Sequence, residues 1–212
     1  MLQSLLELPQ AHRFDSEIDD DIGRTLPGCE LFAGPESEGQ RALKQILQAY
    51  SVFNSTVGYC QGMNFIAGYL FLNIGNKEEA FWTFVSIMRQ VRGLFVEGVP
   101  LLNASFDILE RMIRDRLPTL AAHLARQGVT VMPFASQWFS TLFCFATVPR
   151  RLSNRILDIF LYSGYEIVFR VGMAILASLE GIFPSPRPPS SSLTATHSLT
   201  RTHTRTLHSL CL

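Results

Sequence analysis

Apolar residues along this chain recur every three to four positions, and the stretches with that period are divided by glycine, proline and asparagine. A box at Ser37-x-x-Gln40 opens a run with Leu43, Ile46, Leu47, Tyr50 and Phe53 on one helical face, and 54–58 breaks it. Tyr59-Cys60-Gln61 then stands at the start of a helix through Phe65, Ile66, Tyr69, Leu70 and Leu72, which is apolar nearly all round and therefore buried. Gly75-Asn76 closes it, and Asn76-x-x-Glu79 caps the next helix, with Ala80, Phe81, Phe84, Val85 and Met88. After a loop over 93–100, Phe106, Leu109, Ile113 and Leu117 mark an amphipathic helix whose wet side holds Glu110, Arg111, Arg114 and Asp115. Pro118 starts a helix that Gly128 ends, and further helices are predicted over 133–146, 149–162 and 165–179. Ahead of all these, Asp15 or Ser16 caps a short helix with Glu17, Asp19, Asp20 and Asp21 near its positive end. Thr25-Leu26-Pro27-Gly28 stops that helix, and 31–35 is a loop. No strand alternation or hairpin signal occurs, so the pattern predicts an all-α domain of many helices.

From Pro184 the pattern ends. Pro186, Pro188, Pro189 and three serines lead into repeated Thr, Ser, His, Arg and Leu without an acidic residue, the composition of a disordered tail over 184–212. His197, His203 and His208 lie there with irregular spacing, so solvated side chains are favoured over metal capture. The organisation read from the chain is a short lead over 1–14, a helical domain over 15–183 and the tail.

Composition narrows this further. Of 212 residues, 47% are hydrophobic and 17% charged, enough apolar material for a large core. The formal net charge of +0 gives no long-range field toward nucleic acid or anionic lipid, so neither is an expected partner. Cys29, Cys60, Cys144 and Cys211 form no C-x-x-C pair, which favours reduced thiols in the cytoplasm over a disulfide framework or zinc site. The first residues lack a basic start and Glu7 interrupts their apolar run, so a signal peptide is not expected. Two uncharged stretches, 49–76 and 127–149, are long enough to span a membrane. Their Gly, Asn, Ser, Thr and Gln content fits buried core helices better.

The candidate chemistry lies in two short stretches. Ile18-Asp19-Asp20-Asp21-Ile22-Gly23-Arg24 reads I-x-x-D-x-x-R, and Tyr59-Cys60-Gln61 reads Y-x-Q, followed by Gly62-Met63-Asn64. Asp21 and Arg24 share a helical face, with Ile18 one turn earlier toward the core. Spacing alone leaves the pair open between an ordinary surface salt bridge and a guanidinium held in one rotamer and aimed outward. By default Tyr59 is a half-buried aromatic and Gln61 a solvated residue. Alternatively, a guanidinium supplies a planar fork for phosphate oxygens and a carboxamide both donates to and accepts from a water, which are the two services that nucleotide γ-phosphate hydrolysis needs. Gly58 and Gly62 would allow close backbone approach beside Gln61. Two other readings are weaker: Cys60 as a nucleophile with His123, against a small buried hydrophobe, and a calcium loop over 15–21, which lacks the turn glycine and the EF-hand spacing.

With both motifs in order, the chain resembles the TBC domain family, the activators of Rab-type small GTPases. The resemblance covers about 15–183 and extends to Ser136-Gln137-Trp138-Phe139-Ser140-Thr141-Leu142-Phe143, Arg155-Ile156-Leu157-Asp158-Ile159-Phe160 and Phe169-Arg170-Val171-Gly172-Met173-Ala174. Helical spacing makes Trp138, Phe139, Leu142 and Phe143 core residues in any case. The resemblance implies a GTPase-activating protein in vesicle trafficking and intracellular protein transport, acting on a GTP-bound Rab. It implies Arg24 and Gln61 as catalytic residues supplied in trans, with Ile18, Asp21 and Tyr59 supporting. Such a protein activates a partner rather than turning over nucleotide itself: GTP and magnesium sit on the Rab, and nothing here resembles a P-loop. It also implies a cytoplasmic location with at most peripheral association with endomembranes. Two features depart from the family: no R-x-x-x-W pattern precedes Asp15, and after Gly181-Ile182-Phe183 the tail follows instead of further helices. The expectation is a domain truncated at both ends, with a catalytically inactive Rab-binding or scaffold module as the alternative reading.

Overall fold

A computed structural model describes residues 1–180, and those residues contain ten α-helices, three 3-10 turns and no strand. The helices are α1 (Leu2–Leu6), α2 (Asp15–Ile22), α3 (Glu38–Phe53), α4 (Met63–Ile74), α5 (Lys77–Gln90), α6 (Pro100–Arg116), α7 (Pro118–Gln127), α8 (Met132–Thr141), α9 (Arg150–Ser163) and α10 (Glu166–Glu180). The expected all-α architecture is what the described residues adopt. The predicted tail over 184–212 lies wholly outside the described residues.

Side-chain caps hold several ends where the pattern put them. Ser37 Oγ accepts from the Gln40 backbone N–H at 3.4 Å, but the Gln40 side chain turns away to donate to the Phe32 carbonyl, so only half of the predicted box forms. Asn76 Oδ1 accepts from the N–H groups of Glu78 and Glu79 at 2.9 and 3.1 Å. Gly75 and Gly128 close α4 and α7 in the left-handed conformation.

Three local expectations need correction. No side chain caps α2. Asp15 is already helical, and its carboxylate instead accepts from Gln48 Nε2 of α3 at 2.6 Å and pairs with His12 Nδ1 at 2.9 Å. The helix expected to begin at Tyr59 begins at Met63, because Gly62 takes φ +104°, which no helix accommodates. The helix expected over 133–146 ends at Thr141, because Leu142 and Phe143 both turn left-handed, at φ 51° and 60°. That conformation costs about 1–2 kcal/mol per residue. Burial of Leu142, Phe143, Cys144 and Phe145 offsets it, and Ser153 Oγ anchors the turn by donating to the Phe143 carbonyl at 2.6 Å.

Packing divides the helices into two groups. In the first, α3 is central and touches α1, α2, α4 and α5; in the second, α6 and α10 gather α7, α8 and α9. Contact between α4 and α8 joins them. Aromatic edges fill the interior: Tyr50 meets Phe84 at 5.0 Å between ring centroids, and Phe106 meets Phe139 at 6.0 Å. Gly172 of α10 lets the Trp138 ring of α8 lie close, since a Cβ there would stand 3.2 Å from it. No helix among the described residues is long and apolar enough to cross a membrane, and 49–76 and 127–149 supply core helices.

Phe84 is fully buried and edge-on to Tyr50. Phe84→Ala should destabilise the fold by about 3–5 kcal/mol, read as a lower urea midpoint at unchanged m-value.

Candidate functional site

The site begins with Ile18, whose complete burial fixes the inner face of α2. One turn later Asp21 is also buried, at 6% exposure, while its helix ends at Gly23. Consecutive tight turns, from the Arg24 N–H to the Asp21 carbonyl and from the Thr25 N–H to the Ile22 carbonyl, then swing Arg24 outward. The Arg24 side chain is half exposed. Both Nε and Nη2 donate to Asp21 Oδ1, at 2.9 and 2.5 Å, so the guanidinium is held by one edge. The Tyr59 hydroxyl donates to the other oxygen, Oδ2. Burial, reinforced by Asp21, pushes the Tyr59 hydroxyl far above the usual phenol range, so it remains a donor at any working pH.

The second segment arrives through two glycines. Gly58 takes φ +69° beneath the Phe14 ring, where a Cβ would fall 2.5 Å from Cζ. Gly62 takes φ +104° against the Ser140 carbonyl oxygen of α8, where a Cβ would fall 3.2 Å from it. Close approach at both glycines was legible in the sequence; the partners, an aromatic ring and a backbone oxygen, were not. Between them the chain presents Tyr59 inward and Gln61 outward. The Gln61 carboxamide lies against the guanidinium, and since Arg24 can only donate, the amide is assigned with its oxygen toward it, accepting from Nη1 at 3.0 Å and also from Nη2. Arg24 and Gln61 thus come from separate segments and meet at one exposed spot, with Asp21 and Tyr59 directly behind them.

Two residues outside the predicted set join this cluster. Thr25 Oγ1 donates to the Asp21 carbonyl at 2.8 Å and accepts from Asn64 Nδ2 at 2.8 Å. Asn64 Oδ1 in turn accepts from the Gly62 N–H at 3.0 Å. Asn64 is fully buried in a helix otherwise apolar in its first turn, and a buried carboxamide requires such partners. That isolated polar residue was the available signal.

The rival chemistries find no geometry. Cys60 Sγ faces the Phe95 and Val57 carbonyls at 3.5 and 3.9 Å, and burial pushes its thiol up, away from the thiolate a nucleophile needs. The acidic run over 15–21 is spread among separate partners: Asp15 with Gln48, Asp19 with Lys44, and Asp21 with Arg24. Among the described residues no three His, Cys, Asp or Glu side chains gather as an ion would require.

Comparison with known proteins identifies the domain that carries this cluster. The profile of the Rab-GTPase-TBC domain matches residues 2–182. The human Ecotropic viral integration site 5 protein homolog is 41% identical over 161 residues, which is 75% of this chain and 20% of that protein. The Caenorhabditis elegans Rab GTPase-activating protein eat-17 is 38% identical over 169 residues, covering 79% of this chain and 19% of its own. The chain therefore spans about a fifth of the length of these relatives. The crystal structure of the Chlamydomonas flagellar RabGAP TBC domain superposes with a TM-score of 0.73 at 28% identity, over 85% of this chain and 58% of that one. The Ypt/Rab-GAP domain of Gyp1p, 19% identical, agrees in fold with a TM-score of 0.67 over 85% of this chain and 66% of its own. A match across nearly all described residues, on a helical fold shared with solved members, places the chain in the Rab-GTPase-TBC domain family.

Proposed function

We propose that this chain accelerates GTP hydrolysis by a Rab-type small GTPase, with Arg24 and Gln61 inserted together into the partner's nucleotide site. The observation that carries this reading is their convergence: a half-exposed guanidinium and an exposed carboxamide in direct contact, the amide 3.0 Å from Nη1, at the surface of a TBC domain. GTP and magnesium would be held by the partner. Arg24 would neutralise charge developing on the β- and γ-phosphate oxygens, and Gln61 would orient the attacking water in line with the bond that breaks. Asp21 and Tyr59 would keep the guanidinium aimed, Ile18 would hold α2 to the core, and none of these three would touch the nucleotide. The work would be done from the cytoplasm, with peripheral association at the membrane that bears the Rab.

The test is stimulated GTP turnover by purified chain across a panel of GTP-loaded Rabs, run beside a pull-down. An arginine supplied in trans contributes about 10³–10⁵ in rate. Arg24→Lys keeps the charge but loses the fork and should remove most of that acceleration; Gln61→Ala should also impair it, and both should leave the melting temperature near the parent value. Equal stimulation by both variants and the parent would refute the assigned roles. Rab capture with no rate increase by the parent would make the chain a docking module instead.

Tyr59→Phe tests the support of Arg24. It leaves Asp21 Oδ2 buried without its donor. Stability should fall by about 1–3 kcal/mol in urea denaturation, with a lower stimulated rate measured on the same preparation.

A further inference from the structure

We infer that Asn64 is a positioning residue that sets where Arg24 and Gln61 stand relative to each other, acting through Thr25 and Gly62. The inference rests on the roles proposed above for those two side chains. It starts from an adjacency: Thr25 directly follows Arg24, and Gly62 directly follows Gln61. One buried carboxamide bonds both followers, Nδ2 donating to Thr25 Oγ1 at 2.8 Å and Oδ1 accepting from the Gly62 N–H at 3.0 Å.

The direction of the protons along this relay is fixed. Thr25 spends its own hydroxyl proton on the Asp21 carbonyl, so its oxygen must accept from Asn64. The Gly62 N–H can only donate, so the Asn64 oxygen must face it. The Asn64 carboxamide, with a donor and an acceptor on one planar group, meets both demands at once. Asn64 and Thr25 are 0% and 1% exposed, so no water competes for these bonds. Van der Waals contact supports the same join: a Cβ on Gly68 of α4 would stand 2.9 Å from the Thr25 methyl, so only glycine lets the turn settle on the helix.

The other links between the segments cannot replace this one. The Arg24–Gln61 bond lies between exposed side chains and must open when phosphate and water take their places. The Tyr59–Asp21 bond aims the guanidinium but does not reach Gln61. Among the described residues the Asn64 relay is the hydrogen-bonded link that reaches the backbone of both segments beneath the site, from the Asp21 carbonyl to the Gly62 N–H, and it survives while both side chains are engaged elsewhere. A reacting group misplaced by about 1 Å can lose on the order of a hundredfold in rate, so a link of this kind reads out in turnover more than in affinity.

The experiment uses the full chain and proton–nitrogen NMR, with the Arg24 Nε–H and the Gln61 side-chain amide as reporters, assigned by their loss in Arg24→Lys and Gln61→Ala. Asn64→Ala and Thr25→Val, which touch neither reporter, should shift or broaden both. Thr25→Ser keeps the hydroxyl and should leave both in place, as should Asn73→Ala on the exposed side of α4. In stimulated hydrolysis, Asn64→Ala and Thr25→Val should lower kcat by roughly tenfold to a hundredfold with little change in KM, and Thr25→Ser should match the parent. Unmoved reporters in folded Thr25→Val overturn the inference, as does Thr25→Ser behaving like Thr25→Val. So does a change confined to KM. Should Asn64→Ala fail to fold, the Thr25 pair decides. If the parent stimulates no GTPase, the proposed function fails, while the reporters still decide whether Asn64 couples the two segments.

Discussion

A carboxylate withdrawn from water will not stay there unpaired, and Asp21 is the point where this chain accepts that condition. Its two oxygens need partners from two directions, and they find them on residues far apart in sequence: Arg24 on one side and Tyr59 on the other. Satisfying them brings the end of α2 against the segment that leads into α4. Everything at the surface follows from that closure. Arg24 is held by its inner edge, which turns the rest of the guanidinium outward, and Gln61 emerges beside it.

The support extends to the second helix group. Ser140 of α8 places its carbonyl oxygen against Gly62, and α8 is in turn backed by α10 through Trp138 and Gly172. The exposed carboxamide therefore sits on a turn pressed between α4 and a helix of the other group. The early end of α8 belongs to the same design. The chain leaves the helix at Thr141, and Leu142, Phe143 and Cys144 directly after it are buried in the interior.

Much of this was legible in the sequence, for reasons that differ by element. The ends of α4, α5 and α7 were readable because their signals, Gly75, Asn76 and Gly128, act within one turn of themselves. The start of α4 and the end of α8 were not, since the conformations of Gly62, Leu142 and Phe143 answer to contacts made elsewhere in the fold. At the site, Arg24 and Gln61 could be named from spacing and family resemblance. Thr25 could only be read as part of a helix stop, because the partner that gives its hydroxyl a purpose lies 39 positions away. Asp15 was misread for the same reason: its local role as a cap lost to bonds with α3 and His12.

The carbonyl oxygen of Gln61 resting on Nη1 of Arg24 has one more consequence. A lone guanidinium on a surface would sample many rotamers and carry its own hydration, both of which an incoming anion would have to undo. Here a neutral neighbour already occupies the outward edge, like a sheath on a blade. An arriving phosphate would trade places with an amide oxygen of the same geometry, and the side chain released by that trade would be the one needed next.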